Sequence, residues 1–189
     1  MTRIVAGTLG GRRLEVPKSG TRPTSERVRE ALFARLDHYG VLRGARVLDL
    51  CAGSGALGLE AYSRGAAQVH LVDASKAATA VAQRNIRALG ASGVRALTAN
   101  AATYISGSAG APVQVVFLDP PYDMAQEVLG QILAGLARRE DPWLDDTSVV
   151  VVERSSRSGE PIWPQGMECF SQKNYGETTL WFAQRTEQE

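Results

Sequence analysis

Four consecutive residues, Asp119-Pro120-Pro121-Tyr122, carry the strongest chemical signal in the chain. They leave the end of an apolar run, Val115-Val116-Phe117-Leu118. A carboxylate and a backbone carbonyl, fixed by two prolines of restricted φ, make a pair of pre-positioned acceptors. Such a pair suits the two hydrogens of an exocyclic amine on a nucleobase. That nitrogen is a poor nucleophile because its lone pair is delocalised into the ring. Two acceptors favour a more pyramidal nitrogen and turn the lone pair outward. Asp119 offers the carboxylate, Pro120 the carbonyl and Pro121 rigidity. Tyr122 offers a face on which a base can stack, worth about 1–3 kcal/mol. A plain Pro-Pro turn after a strand is the structural alternative, and the four residues alone do not exclude it.

A second constellation lies upstream. Val47-Leu48-Asp49-Leu50 runs straight into Cys51-Ala52-Gly53-Ser54-Gly55-Ala56-Leu57-Gly58. A strand feeding a glycine turn and then a helix lets backbone approach a ligand where a Cβ would clash. Gly53, Gly55 and Gly58 also fit the dinucleotide fingerprint, so this loop alone leaves a nicotinamide cofactor open. Asp49 stands four residues before Gly53. A carboxylate there suits a cationic ammonium and sulfonium and is awkward beside a pyrophosphate. The expected cofactor is S-adenosylmethionine, held by Asp49, Ala52, Gly53 and Gly55. Asp73, followed by Ala74, ends the next strand, where a carboxylate can accept ribose hydroxyls or cap a helix. Asn100-Ala101 follow the third strand. The amide oxygen of Asn100 can accept from an adenine amine and the Ala101 amide can donate to the ring, with a helix cap as the equal alternative.

The elements that position these residues follow from periodicity. Candidate strands are Val47–Leu50, Val69–Val72, Val94–Thr98, Val113–Leu118 and Val149–Glu153. Between them lie helical stretches at Leu57–Arg64, Ser75–Leu89, a short one near Ala101–Ile105, and Ala125–Arg138. Near-continuous Val and Leu strands separated by amphipathic helices describe a parallel sheet covered on both faces. Met167–Gln172 and Thr178–Ala183 flank Lys173-Asn174-Tyr175-Gly176-Glu177 and read as an antiparallel hairpin. At the front, Arg3–Ala6 and Arg12–Val16 read as a small β-hairpin. A helix then starts at Pro23-Thr24-Ser25 and ends near Gly40, with Val28, Leu32 and Leu36 on its apolar stripe and Arg27, Arg29 and Arg35 off it.

Composition narrows the function classes. Apolar residues make up 44% of 189, enough for a full core. No apolar run reaches membrane length and no signal peptide opens the chain, so the expected location is the cytoplasm, without a membrane partner. Two cysteines (Cys51, Cys169) and two histidines (His38, His70) show no metal-ligand spacing, and no metal is expected. The net charge of +1 hides an asymmetry. Residues 1–46 hold ten Arg or Lys against four Asp or Glu, and residues 47–189 hold eleven against sixteen. A balance of +6 before −5 points to an amino-terminal segment that meets a polyanion, or, more plainly, to a solvated basic face.

Taken together these motifs resemble a known family, the RsmD-like bacterial 16S ribosomal RNA guanine-N2 methyltransferases acting on guanine 966. The resemblance covers about residues 3–184. It rests on Arg3-Ile4-Val5-Ala6-Gly7, on Arg22-Pro23-Thr24 with Arg27 and Arg29-Glu30-Ala31-Leu32-Phe33, on Asp49 through Gly58, on Asp119–Tyr122, and on Tyr175-Gly176-Glu177-Thr178. It implies an α/β, Rossmann-like class I S-adenosylmethionine-dependent methyltransferase fold. The seven-stranded, mostly parallel sheet would end in the antiparallel hairpin. Residues 1–40 would form a β-hairpin and helix that recognise RNA and close over the cofactor. Residues 41–185 would form the catalytic domain, and 186–189 a frayed tail. The implied substrate is 16S ribosomal RNA in the 30S subunit or a late precursor, and a monomer is expected. Arg3, Arg12, Arg13, Arg22, Arg27 and Arg29 are the candidate RNA contacts, which position rather than specify. Asn100 departs from the acidic residue that methyltransferases of this fold commonly place against the adenine amine.

Three rivals share parts of this pattern. A DNA adenine-N6 methyltransferase uses the same amine chemistry but usually needs a larger target-recognition region. A glutamine amide methyltransferase typically has Asn in place of the first Asp, against Asp119 here. A catalytically silent RNA-binding module of the same fold is disfavoured by intact Asp119 and Gly53.

Overall fold

The structure, a computed structural model, describes residues 2–18 and 24–187. A two-stranded ribbon, β1 (Thr2–Arg3) and β2 (Arg13–Leu14), precedes helix α1 (Glu26–Tyr39). Strands and helices then alternate: β3 (Arg46–Leu50), α2 (Ala56–Ser63), β4 (Gln68–Asp73), α3 (Lys76–Leu89), β5 (Val94–Thr98), α4 (Ala101–Ser106), β6 (Val113–Leu118) and α5 (Gln126–Leu136). The chain ends in β7 (Leu144–Ser155), β8 (Met167–Tyr175) and β9 (Thr178–Arg185). The sheet is seven-stranded in the order β5-β4-β3-β6-β7-β9-β8. β3 to β7 run parallel, and β9 pairs antiparallel with both β7 and β8. This is the mostly parallel, Rossmann-like α/β sheet with an antiparallel carboxy-terminal hairpin that the residue pattern implied.

Strand alternation sorts the apolar residues into two cores. Val47, Val69, Leu71, Val115, Phe117, Val149 and Val151 face α1, α2 and α3. Leu48, Leu50, Val72, Val116, Leu118, Val150 and Val152 face α4 and α5. Ile4 and Leu14 of the amino-terminal segment join the first of these cores rather than building one of their own. The direction of winding reverses between β3 and β6, so the crevice beyond their carboxyl ends is the place where such sheets bind ligands.

Two elements differ from expectation. The ribbon is shorter than the hairpin read from sequence: it pairs Thr2 with Leu14 and Arg3 with Arg13, and Ile4 closes it, its amide donating to the Arg12 carbonyl at 2.9 Å and its carbonyl accepting from Gly11 at 2.7 Å. The chain leaves it because the Val5 and Ala6 amides donate to the buried carboxylate of Glu60 on α2, at 2.9–3.2 Å, instead of to a strand. β7 begins well before Val149. Its early residues, Asp145-Asp146-Thr147-Ser148, are too polar to read as a strand. A bulge in β7 between Leu144 and Val149, opposite Val113 and Val115 of β6, brings Leu144 into the ladder. Helix α1 starts where expected: the Ser25 hydroxyl accepts from the Val28 amide at 3.2 Å, and Gly40 closes the far end in the left-handed region at φ 71°.

Candidate active site

The two-residue period that sorts the core also sorts the acids. Asp73 continues the row of Val69 and Leu71, Asp49 that of Val47, Asp119 that of Val115 and Phe117, and Glu153 that of Val149 and Val151. All four carboxyl groups therefore belong to one face of the sheet at its carboxyl edge. Asp49 pairs in register with Leu71 and with Phe117, one pleat deeper than the others. Phe117 pairs with Val151, so Asp119 and Glu153 stand side by side at the rim.

The glycine turn is built around two of these acids. The Asp49 carboxylate accepts from the Gly58 amide at 3.0 Å, which ties the end of β3 to the first turn of α2. The Asp73 carboxylate accepts from Gly53 at 2.9 Å through one oxygen and from Ser75 at 2.9 Å through the other. Ser75, not Asp73, caps α3. Cys51 and Gly53 both take left-handed φ, 60° and 56°. For a cysteine that conformation costs about 1–3 kcal/mol, strain of a kind that clusters at ligand clamps. Gly58 is glycine for packing: a Cβ there would lie 2.3 Å from Leu71 Cδ2. Ala52 and Ala74 flank the turn, and the Ala52 amide donates to the Val72 carbonyl at 3.0 Å.

Electrostatics set this edge apart. Burial, and then the charge of Asp73, push the Asp49 carboxyl up to about 7 although the Gly58 amide pulls it down. A fully buried acid in this state lacks a counter-charge, so the pocket around it favours a cationic ligand. Burial also pushes the Cys51 thiol up to about 12, helped by Asp73, Asp49 and Asp119, so this thiol is not a nucleophile. Asp119 is raised well above the usual carboxylate range by burial, Glu153 and Asp49, against the opposing pull of Thr24 and Arg154. Glu153 is raised by burial, even though the Thr24 hydroxyl donates to its Oε2 at 2.8 Å.

The loop that follows Asp119 is pinned from below. The Pro121 carbonyl accepts from the Met124 amide at 3.0 Å and from Arg154 Nη1 at 3.3 Å. Pro120 is buried. Tyr122 is 64% exposed, an open ring three residues after the half-buried Asp119. Asn100 caps α4, its side-chain oxygen accepting from Ala102 at 3.0 Å and Thr103 at 3.4 Å, and Ala101 is buried beneath it. The oxygen assigned to adenine is thus engaged with the helix. Among the described residues no group of three or more His, Cys, Asp or Glu could hold a metal ion, so the acids form a row and not a cage.

The arginines divide. Arg3, Arg13 and Arg27 are exposed, with Arg3 paired to Glu26 at 3.5 Å. Arg12 is exposed while its Nη2 donates to the Ala88 carbonyl at 2.8 Å. Arg22 lies outside the described residues. Arg29 must be corrected: it is fully buried, and its Nη2 donates to Thr2 Oγ1 at 2.9 Å and to the Arg3 carbonyl at 2.6 Å. Burial lowers its pKa while Glu60 and Glu26 raise it. It locks the ribbon to α1 and presents nothing to a polyanion. Its spacing of three, four and seven residues from Leu32, Phe33 and Leu36 places it on the buried face of α1.

Sequence reasoning missed several residues. Asn85 on α3 donates to the Ser54 carbonyl in the glycine turn at 3.0 Å and exchanges bonds with the Glu15 backbone, joining the amino-terminal segment to the cofactor turn. Glu153, Arg154 and Thr24 were also missed. The signal for Glu153 was available: like Asp73 it is an acid that closes an apolar strand run at the ligand edge.

Relatives carry the same plan. Residues 2–184 match the family model described as Conserved hypothetical protein 95. The chain is 35% identical over 189 residues to ribosomal RNA small subunit methyltransferase D of Escherichia coli K12, covering 98% of this chain and 91% of that protein. It is 32% identical over 180 residues to the protein of the same name from Haemophilus influenzae, covering 92% and 89%. Its fold superimposes on the solved structure of yhhF from Escherichia coli, described there as a candidate methyltransferase, with a TM-score of 0.85, 34% identity and 98% of both chains covered.

Proposed function

Since the chain belongs to the Conserved hypothetical protein 95 family and is a methyltransferase of small-subunit ribosomal RNA, we propose that its acceptor is the exocyclic N2 amine of a guanine in 16S RNA. The observation that carries this reading is Asp119, a half-buried carboxyl at the carboxyl edge of β6 beside Glu153, followed by two prolines and an exposed ring. When bound, S-adenosylmethionine supplies an electrophilic methyl group on a sulfonium. Asp49 balances its positive charge, Gly53 leaves room along the backbone, Gly55 closes the turn with Leu71 packed against it, and Asp73 takes the ribose.

The chain's own work is positioning. Asp119 and the Pro120 carbonyl accept the two amine hydrogens and turn the nitrogen lone pair toward the methyl group. Tyr122 stacks on the base, and Arg154 holds the loop through the Pro121 carbonyl. Alignment of nucleophile and electrophile can supply several kcal/mol of the barrier, so a strong base is not required. The proton that the methylated nitrogen sheds passes to the Asp119 carboxyl, which its surroundings dispose to hold one. Arg3, Arg12, Arg13 and Arg27 contact phosphates and fix the register of the RNA. The enzyme works as a single chain in the cytoplasm, on the 30S subunit or its late precursor.

Methyl transfer from labelled cofactor to unmodified small subunits, run beside plasmid DNA, tests this. Label on a guanine N2 of the RNA is expected. Label only in DNA would sink the proposal.

A further inference from the structure

Glu153 is the residue of the acid row that the chemistry above leaves without a task. In strand order the row runs Asp73, Asp49, Asp119, Glu153. The cofactor's ribose and ammonium account for the first two, and the amine for the third. Glu153 lies on the far side of Asp119 from the cofactor turn, on the side where the rest of the base must extend. The row stops there, because the next strand offers buried Leu180 in register with Glu153.

Resting on the guanine-N2 reading, we propose that Glu153 is a specificity-determining residue that accepts the N1–H of the target guanine. Guanine is distinguished by a donor, N1–H, directly beside its exocyclic amine. Adenine and cytosine instead present a ring-nitrogen acceptor beside theirs. Two adjacent carboxyl groups therefore match guanine and repel the lone pair of the other two bases. The surroundings of Glu153 agree with this role. Thr24 donates to Oε2 from the segment before α1, and Asp119 faces it from β6. Asp49 lies one pleat deeper, and Arg154 turns to the opposite face, toward Pro121. Among the described residues Thr24 is thus the one neighbour seen donating to it, and burial pushes both rim carboxyls up, as expected of paired acceptors short of donors. A planar edge with two neighbouring N–H groups supplies what is missing.

The test replaces the guanine methylated by the wild type with 2-aminopurine in an otherwise identical RNA. This base keeps the 2-amino group but carries a lone pair at N1. We expect the wild type to prefer guanine by about a hundredfold or more in kcat/KM, as sites built to read a donor do. Glu153→Gln, whose amide can donate to that lone pair, should reduce the preference at least about tenfold, with cofactor affinity by calorimetry unchanged. An equal loss on both substrates would reveal a merely structural role and overturn the proposal. Equal use of both bases by the wild type would overturn it without any variant. If the wild type places no methyl group on a guanine N2 of small-subunit RNA, the broader reading fails first, which is a distinguishable result.

Discussion

The two ends of the sheet treat the same residue type in opposite ways. At the amino edge, burial pushes Asp145 up, but Thr147, Gln114 and Ser148 donate to it and hold it below the usual range. At the carboxyl edge, Asp49 accepts from a single amide among the described residues, that of Gly58, and Asp119 lies beside Glu153, and all three acids are pushed up. The amino edge is internally satisfied and serves folding. The carboxyl edge holds acids with spare acceptor capacity, a cost in stability of the kind that a pre-organised binding site bears.

The largest effect should come from removing the acceptor itself. Asp119→Ala should lower methyl transfer by about 10²–10³-fold or more while calorimetry shows cofactor still binding. Turnover like the wild type's would refute its role. Next, Asp49→Asn should weaken cofactor binding by about thirtyfold, the loss expected when a buried charge partner goes. The same change should stabilise the free protein. A raised carboxyl contributes stability that is fully present below about pH 4 and lost as pH rises through about 7. The gain in urea midpoint should therefore be greatest above pH 7. A midpoint that falls at pH 8 would place Asp49 among the satisfied acids.

Asp145→Ala should do the reverse at the other edge. It should cost about 1 kcal/mol of stability and leave cofactor affinity and kcat intact. The contribution of Asp145, whose carboxyl is held low, is present above the ordinary aspartate pKa and fades as the solution becomes more acidic. Thus the pH trends of the two variants have opposite signs. The smallest effect concerns the outer surface. Replacing Arg12 and Arg13 by Ala should weaken RNA binding several-fold and reduce the slope of log affinity against log salt by about 1–2. An unchanged slope would remove the ribbon from the RNA interface.

The sheet was legible because its strands are rich in Val and Leu and several carry an acid at or near the carboxyl end. Asp49, Asp73 and Asp119 could be assigned to one edge from strand direction alone. What stayed hidden depends on side chains crossing between elements. Arg29 carries a charge yet lies along the stripe of Val28 and Leu32, and only the packing of the ribbon on α1 reveals that it is interior. Asn100 fits both a helix cap and an adenine contact, and the Ala102 amide takes its oxygen. Thr24 and Glu153 stand 129 positions apart, and nothing in their local sequence announces the 2.8 Å bond between them.

The modified base itself is the most direct measure. Small-subunit RNA from cells lacking this protein should be mapped by mass spectrometry, then again after return of the wild type or of Asp119→Ala. One N2-methylguanine should disappear, be restored by the wild type and stay absent with the variant. Retention of every N2-methylguanine in those cells, with loss of a methyl group elsewhere, would contradict the assignment of the Asp119 edge to a guanine amine.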